Sequence, residues 1–210
     1  SNQKPMIKKI LAALLLFPTF AYAQINTDRV MMIARNALYF EDYVLSIQYF
    51  NQVINAKPYL YEPYFFRGLA KINLDDYQGA EADCDAAIDR NPFVVGAYQI
   101  RGLARIKQNK YDGAIEDYKK ALHFDPEITL WHNLTLCHIQ KEDYKAAEDD
   151  LGKLLAVAPK YTRAYLMRGE VALKQQDTLR ALNDFNTAIE MDKYDPDAWA
   201  SRAIVRLQQG

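Results

Sequence analysis

Two stretches of this sequence carry the same pattern 34 positions apart, identical at eight of nine landmarks and differing where Cys84 returns as Tyr118. Tyr64, Gly68, Ala70, Tyr77, Ala80, Asp83, Cys84, Ala87 and Pro92 return as Tyr98, Gly102, Ala104, Tyr111, Ala114, Asp117, Tyr118, Ala121 and Pro126. A fixed period of this size marks one supersecondary unit repeated along the chain, each copy burying its apolar face against the next. The pattern continues with one slip. Trp131, Thr135, Tyr144, Ala147, Asp150, Leu151, Leu154 and Pro159 lie 33 residues on, so one residue is missing between Pro126 and Trp131. Tyr165, Gly169, Ala181, Asp184, Phe185 and Ala188 form a further copy. Ala34, Phe50, Val53 and Pro58 mark a weaker earlier one, and Trp199 with Ala203 opens a last half copy.

Within each copy the spacing is helical. Residues 26–40 are predicted to form a first helix, capped by Asn26 or Thr27, with the stripe Val30, Ile33, Ala34 and Ala37 on one face. A second helix is expected at about 43–56, and Pro58 closes the unit because proline cannot continue a helix interior. In later copies an aromatic precedes a small residue by one helical turn. Gly68, Gly102 and Gly169 would each weaken a helix by nearly 1 kcal/mol, so their recurrence predicts a site where helices approach closely, facing Ala80, Ala114, Ala147 and Ala181. Arg67, Arg101 and Arg168 stand one residue before those glycines. Asp83, Asp117 and Asp184 follow them 16 residues later, which predicts an Arg–Asp bridge inside each hairpin. With partial burial, removing one partner would cost about 3–5 kcal/mol at most. The first copy has neither charge, with Ile33 and Tyr49 in those slots, and the fourth keeps Asp150 but carries Leu134 in place of the arginine.

These residues resemble the tetratricopeptide repeat (TPR) family, whose signature is an aromatic, a small residue four positions on, then Ala, aromatic, Ala and Pro at fixed offsets. The resemblance covers residues 27–210 as repeats at about 27–60, 61–94, 95–127, 128–161 and 162–195, with a half repeat at 196–210. It implies an all-α fold: a right-handed α-solenoid of stacked antiparallel helix hairpins. Thr135, Thr178 and Lys193 depart from the pattern locally. In the family, first helices line a concave groove that binds peptides or helices. The matching positions are Phe65, Leu69, Ile72; Gln99, Leu103, Ile106; His132, Leu136, Ile139; and Leu166, Glu170, Leu173. Each triple follows i, i+4, i+7 and forms a stripe. These stripes are markedly apolar and lack the basic, Asn-containing pattern that clamps a C-terminal carboxylate. Either neighbouring first helices bury them against one another, or an apolar or amphipathic segment docks there; residues 7–17 of this chain are one such segment.

Residues 6–23 read as a signal peptide. Lys8 and Lys9 precede the apolar run Ile10–Phe17, and Ala21-Tyr22-Ala23 is a small-x-small cleavage site. The run is too short to span a membrane, and Gln24 rather than Cys follows the site, which argues against a lipid anchor. Residues 1–5, ahead of Met6, are read as a non-native extension. The expected location is the bacterial periplasm. A net charge of −1 gives no electrostatic case for nucleic acid. His132 and His138 stand six apart, not at metal-ligand spacing, and no phosphate loop or nucleophile motif occurs, so no metal, cofactor or enzymatic activity is expected. Cys84 and Cys137 fall in non-adjacent repeats and are expected to be buried thiols. The chain stops at Leu207-Gln208-Gln209-Gly210, before a sixth hairpin would return. This predicts a piece of a longer repeat protein, or a sticky half repeat around Trp199 and Ala203 that self-associates. The expected function is a non-catalytic scaffold of the cell envelope that binds a peptide or helix in its groove. The competing reading is a structural spacer within a longer repeat protein.

Overall fold

The turn chemistry of each hairpin is legible residue by residue. Glu41, Asp75, Asn109, Glu142 and Gln176 all adopt left-handed backbone, with φ between 58° and 62°. Each sits just beyond the end of a first helix. In every case the next residue's N–H bonds back to a helix carbonyl five positions earlier, as Asp42 does to Ala37 and Asp143 to His138. The left-handed residue itself bonds three back, as Glu41 does to Leu38. This pair of bonds satisfies the last carbonyls of the helix and reverses the chain. Asp42, Asp76, Asp143 and Asp177 then cap the returning helix by accepting from the N–H three residues on. Lys110 holds that position in the third hairpin and makes no such bond.

The structure, a computed structural model, describes residues 26–209. Among them are eleven helices and no strand: α1 (Thr27–Tyr39), α2 (Tyr43–Ala56), α3 (Glu62–Asn73), α4 (Tyr77–Arg90), α5 (Val95–Lys107), α6 (Tyr111–Phe124), α7 (Ile128–Gln140), α8 (Tyr144–Val157), α9 (Thr162–Lys174), α10 (Thr178–Met191) and α11 (Pro196–Gln209). No described helix is long and apolar enough to cross a membrane. The proposed signal segment, and with it any docking of residues 7–17, falls outside the described residues.

The chain divides into two compact units, the first ending at Pro92 and the second beginning at Phe93. In the first, α1 pairs with α2, α3 pairs with α4, and α2 packs on α3. Its centre holds Ala34, Phe50, Val53, Ala70, Ala80, Cys84 and Ala87, all at 1% exposure or less. In the second unit α5–α6, α7–α8 and α9–α10 are hairpins. They stack in chain order through α6–α7 and α8–α9, and α11 lies on α10. Leu151, Leu154, Met167 and Val171 form one part of its core, and Leu166, Phe185, Ala188 and Val205 another.

The glycine slots hold a different neighbour from the one the sequence suggests. A Cβ on Gly102 would lie 2.9 Å from Tyr118 Cζ, and one on Gly169 would lie 2.5 Å from Phe185 Cε1. At these two positions the close approach is therefore between the first-helix backbone and an aromatic ring on the second helix, whereas at Gly68 the Ala80 carbonyl oxygen is among the nearest neighbours, at 3.4 Å. Where that ring is replaced by Cys84, the Cβ built on Gly68 meets nothing nearer than 3.4 Å.

The first-helix aromatics also do more than fill space. Tyr64, Tyr165 and Trp199 donate to the carbonyls of Pro58, Pro159 and Lys193, each six residues back, and so tie the helix to the link before it. Trp131 is the exception: its indole N–H is buried and has no hydrogen-bond partner. The missing residue between Pro126 and Trp131 shifts the link by one position, so the carbonyl six back is no longer the one at the proline slot.

Candidate functional site

The geometry that recurs in three of the five hairpins is an Arg–Asp ion pair. Arg67 Nη2 lies 2.6 Å from Asp83, Arg101 Nη2 lies 2.7 Å from Asp117, and Arg168 Nη2 lies 2.8 Å from Asp184. Each arginine Nε also donates to the same carboxylate, giving a two-pronged bond. The guanidinium carbons stand 5.5–5.7 Å from the rings of Tyr64, Tyr98 and Tyr165, so each arginine lies over the aromatic of its own helix. The carboxylates are almost fully buried and the arginines partly so, which fits a role in holding the hairpin.

A second cation in two of these hairpins escapes the sequence reading. Lys71 and Arg105, one turn beyond the arginines, lie 2.9 Å from Asp83 and Asp117. The same slot in the fourth repeat is His138, whose Nδ1 is 2.5 Å from Asp150 Oδ2. The carboxylate left by the Arg-to-Leu134 change thus has a partner, and the i+4 cations of the two preceding repeats were the signal for it. Burial raises the Asp150 carboxyl above its usual range, with His138 opposing. Burial also pushes the neighbouring Cys137 thiol up to about 12.

The stripe positions divide by burial. In the first unit Phe65, Leu69 and Ile72 are half-buried. Leu69 lines a cleft of about 400 Å³ between α1 and α3, together with Arg35, Tyr39 and Phe66. Phe66, which the stripe pattern passes over, stacks on Phe50 at 6.0 Å beneath the Arg35 guanidinium. In the second unit Gln99, Ile106, His132, Leu136, Ile139 and Leu173 are half-buried, and Leu103 is 37% exposed. Glu170, the one charge in these stripes, is exposed. Leu166 is only 1% exposed and packs with Phe185 and Val205, so it belongs to the core and presents no surface to a partner. His132 accepts or donates to the Tyr161 hydroxyl at 3.2 Å; burial, then Arg163, lowers its pKa, which favours the neutral ring. Gln99 and Leu103 open into a cleft of about 210 Å³ between α5 and α7.

Stacked two-helix repeats with a one-turn aromatic-to-small spacing and half-exposed first-helix stripes define a helical-repeat interaction scaffold. Tetratricopeptide repeat profiles match residues 61–93, 96–128, 138–196 and 166–210. The chain belongs to the tetratricopeptide repeat family.

Solved structures agree on the fold. MamA from Desulfovibrio magneticus RS-1 superposes with a TM-score of 0.77 at 18% identity, over 83% of this chain and 99% of that one. YrrB, a TPR protein with an unusual peptide-binding site, gives 0.79 at 11% identity, over 89% and 97%. In sequence, 54 residues are 33% identical to the human protein O-mannosyl-transferase TMTC3; they cover 26% of this chain and 6% of that protein's length.

Proposed function

We propose that this chain is a non-catalytic scaffold of the bacterial cell envelope whose second unit receives an apolar or amphipathic segment of a partner protein along its first helices. The observation that carries this reading is the row Leu103, Ile106, Leu136, Ile139 and Leu173. Apolar side chains on three successive first helices of one unit remain half-buried or exposed after the hairpins have stacked. A partner's apolar side chains would complete their burial at about 25 cal/mol per Å² removed from water. That YrrB has a peptide-binding site on the same fold is consistent with this reading. Export rests on the basic start, apolar run and A-x-A site of residues 6–23.

A second reading has its own observation. On α11, Trp199, Ile204 and Leu207 are 45%, 53% and 82% exposed. A chain that works through this helix edge would be a spacer in an assembly. The two readings separate by site-specific photo-crosslinking in intact cells, with the crosslinker placed at positions 103, 136, 199 and 204. Crosslinks from 103 and 136 to one contiguous partner segment support the groove. Crosslinks from 199 and 204 alone support the spacer and overturn the groove. N-terminal sequencing of the mature protein tests export: a start at Gln24 is expected, and an intact Met6 in the cytosolic fraction refutes it.

A further inference from the structure

Three first helices of the second unit present one continuous surface. Gln99 and Leu103 of α5 share a cleft with Leu130 and Asn133 of α7. His132 of α7 meets the Tyr161 hydroxyl, from the link into α9, at 3.2 Å. The middle slot of each helix along this surface holds, in repeat order, Leu103, Leu136 and Glu170. The slot three residues on holds Ile106, Ile139 and Leu173. None of these side chains is fully buried. Glu170 breaks the chemistry of the row: a carboxylate stands where the two preceding repeats place leucine.

The hairpins do not use that charge. Asp117, Asp150 and Asp184, the buried acids of the same three repeats, are met by Arg101, His138 and Arg168. Glu170 is in no such pair among the described residues. Arg163, two turns before it on α9, is bonded to Asp197 at 3.2 Å, and Lys174, one turn after it, forms no ion pair with it. Glu170 is exposed, yet the packing around it removes enough water to raise its carboxyl above the usual range, with Asp197 adding to the rise and Arg163 opposing it. An apolar side chain laid over this carboxylate would strip its remaining water and give no bond in exchange. A cation there would gain more than on open surface, where solvent screens the pair almost completely.

We infer that Glu170 is a charge-reading subsite of the groove, and that the bound segment is amphipathic, setting a lysine or arginine against Glu170 and apolar side chains against Leu103 and Leu136. This rests on the groove reading above and adds a charge requirement to it. The apolar row supplies most of the affinity. Glu170 discriminates among apolar segments, disfavouring those that would cover it without a cation and those that bring a second carboxylate.

The test selects peptides from a random displayed library on the full chain, on Glu170→Gln and on Glu170→Arg. The position is exposed, so both variants should melt with wild type. Wild-type selections are expected to share Lys or Arg at one position beside apolar residues. Selections on Glu170→Gln should lose that preference, and those on Glu170→Arg should place Asp or Glu there. A peptide selected on wild type should bind Glu170→Gln about five- to tenfold more weakly, between the worth of an exposed ion pair and that of a charge-assisted hydrogen bond. The difference should shrink as salt is raised. Leu103→Ser reports whether a peptide lies in the groove. Peptides weakened by Leu103→Ser that share no basic residue, or that bind wild type and Glu170→Gln equally, overturn the subsite and leave the groove standing. If no peptide is selected, or none responds to Leu103→Ser, the groove reading falls and the charge subsite with it.

Discussion

The same substitution, glycine to alanine, should act in opposite directions at two equivalent positions. At Gly68 the nearest atoms to an added methyl are Ala80 O, Asp83 Cβ and Cys84 Sγ, all at 3.4 Å, an ordinary contact. At Gly169 the methyl would meet Phe185 Cε1 at 2.5 Å and Cδ1 at 2.8 Å, on a ring with no exposed surface. Both changes gain about 1 kcal/mol of helix propensity. Gly68→Ala keeps that gain and is expected to stabilise by up to about 1 kcal/mol. Gly169→Ala must displace a packed ring, which costs about 1–3 kcal/mol, and is expected to destabilise by about 1–2 kcal/mol net. For a chain of this size each kcal/mol moves the midpoint by about 2–4 °C, within reach of a circular-dichroism melt. Urea denaturation of Gly169→Ala, Phe185→Leu and the double variant isolates the clash: the double variant should be more stable than the sum of the singles requires, by about 1 kcal/mol or more. Equal shifts of the same sign at Gly68 and Gly169, or strict additivity with Phe185→Leu, would refute the ring-on-backbone account.

Two further predictions concern the turns and the buried carboxylates. Glu142 holds φ at 58° with no Cβ-free option, so Glu142→Gly should raise the urea midpoint by an amount equivalent to about 0.5–1 kcal/mol. Asn109→Gly should change it less, since asparagine tolerates the left-handed region; equal effects would discount backbone strain. Asp150 has a folded pKa raised by burial, so its contribution is fully present below the ordinary carboxylate pKa of about 4 and is lost as pH rises through the folded value. Asp150→Asn cannot ionise and can still accept from His138. Its stability relative to wild type should therefore increase between about pH 4 and pH 7; a variant that loses ground over that range would show the His138–Asp150 ion pair to be net favourable.

Much of this fold is written in single positions. The repeat spacing locates the hairpins because its landmarks each have one physical job: alanine at the interface and, in three of the five repeats, arginine beside the glycine with aspartate 16 residues on. What the spacing could not specify was which atoms meet. Gly102 and Gly169 were legible as close-approach sites, but the ring that presses on them lies on another helix and in a slot whose residue varies from Cys84 to Tyr118 to Phe185. His138 was passed over because the histidines were weighed against metal-ligand spacing and not against the slot one turn beyond the arginines, which Lys71 and Arg105 had marked twice. Leu166 read as a groove residue because i, i+4, i+7 spacing fixes a helix face and not the depth at which that face lies. Here α9 has α10 and α11 against it, and the position is covered.

The deviations of the fourth repeat have a common origin in chain length. The link from α6 to α7 is residues 125–127, whereas those from α8 to α9 and from α10 to α11 are residues 158–161 and 192–195, one residue longer. Shortening it deprives Trp131 of the acceptor that Tyr165 and Trp199 find at the proline slot. It also brings Glu127, from the link itself, and Thr129, Leu130 and Asn133, from the first two turns of α7, to the rim and wall of the Tyr118 cleft. The buried Trp131 N–H, which has no hydrogen-bond partner, thus belongs to the junction between α6 and α7. Restoring the missing residue after Pro126 should give Trp131 back a carbonyl and raise the urea midpoint by the worth of about one net hydrogen bond, about 1 kcal/mol. If the inserted residue left the midpoint unchanged or lowered it, the short link would not be what costs Trp131 its acceptor.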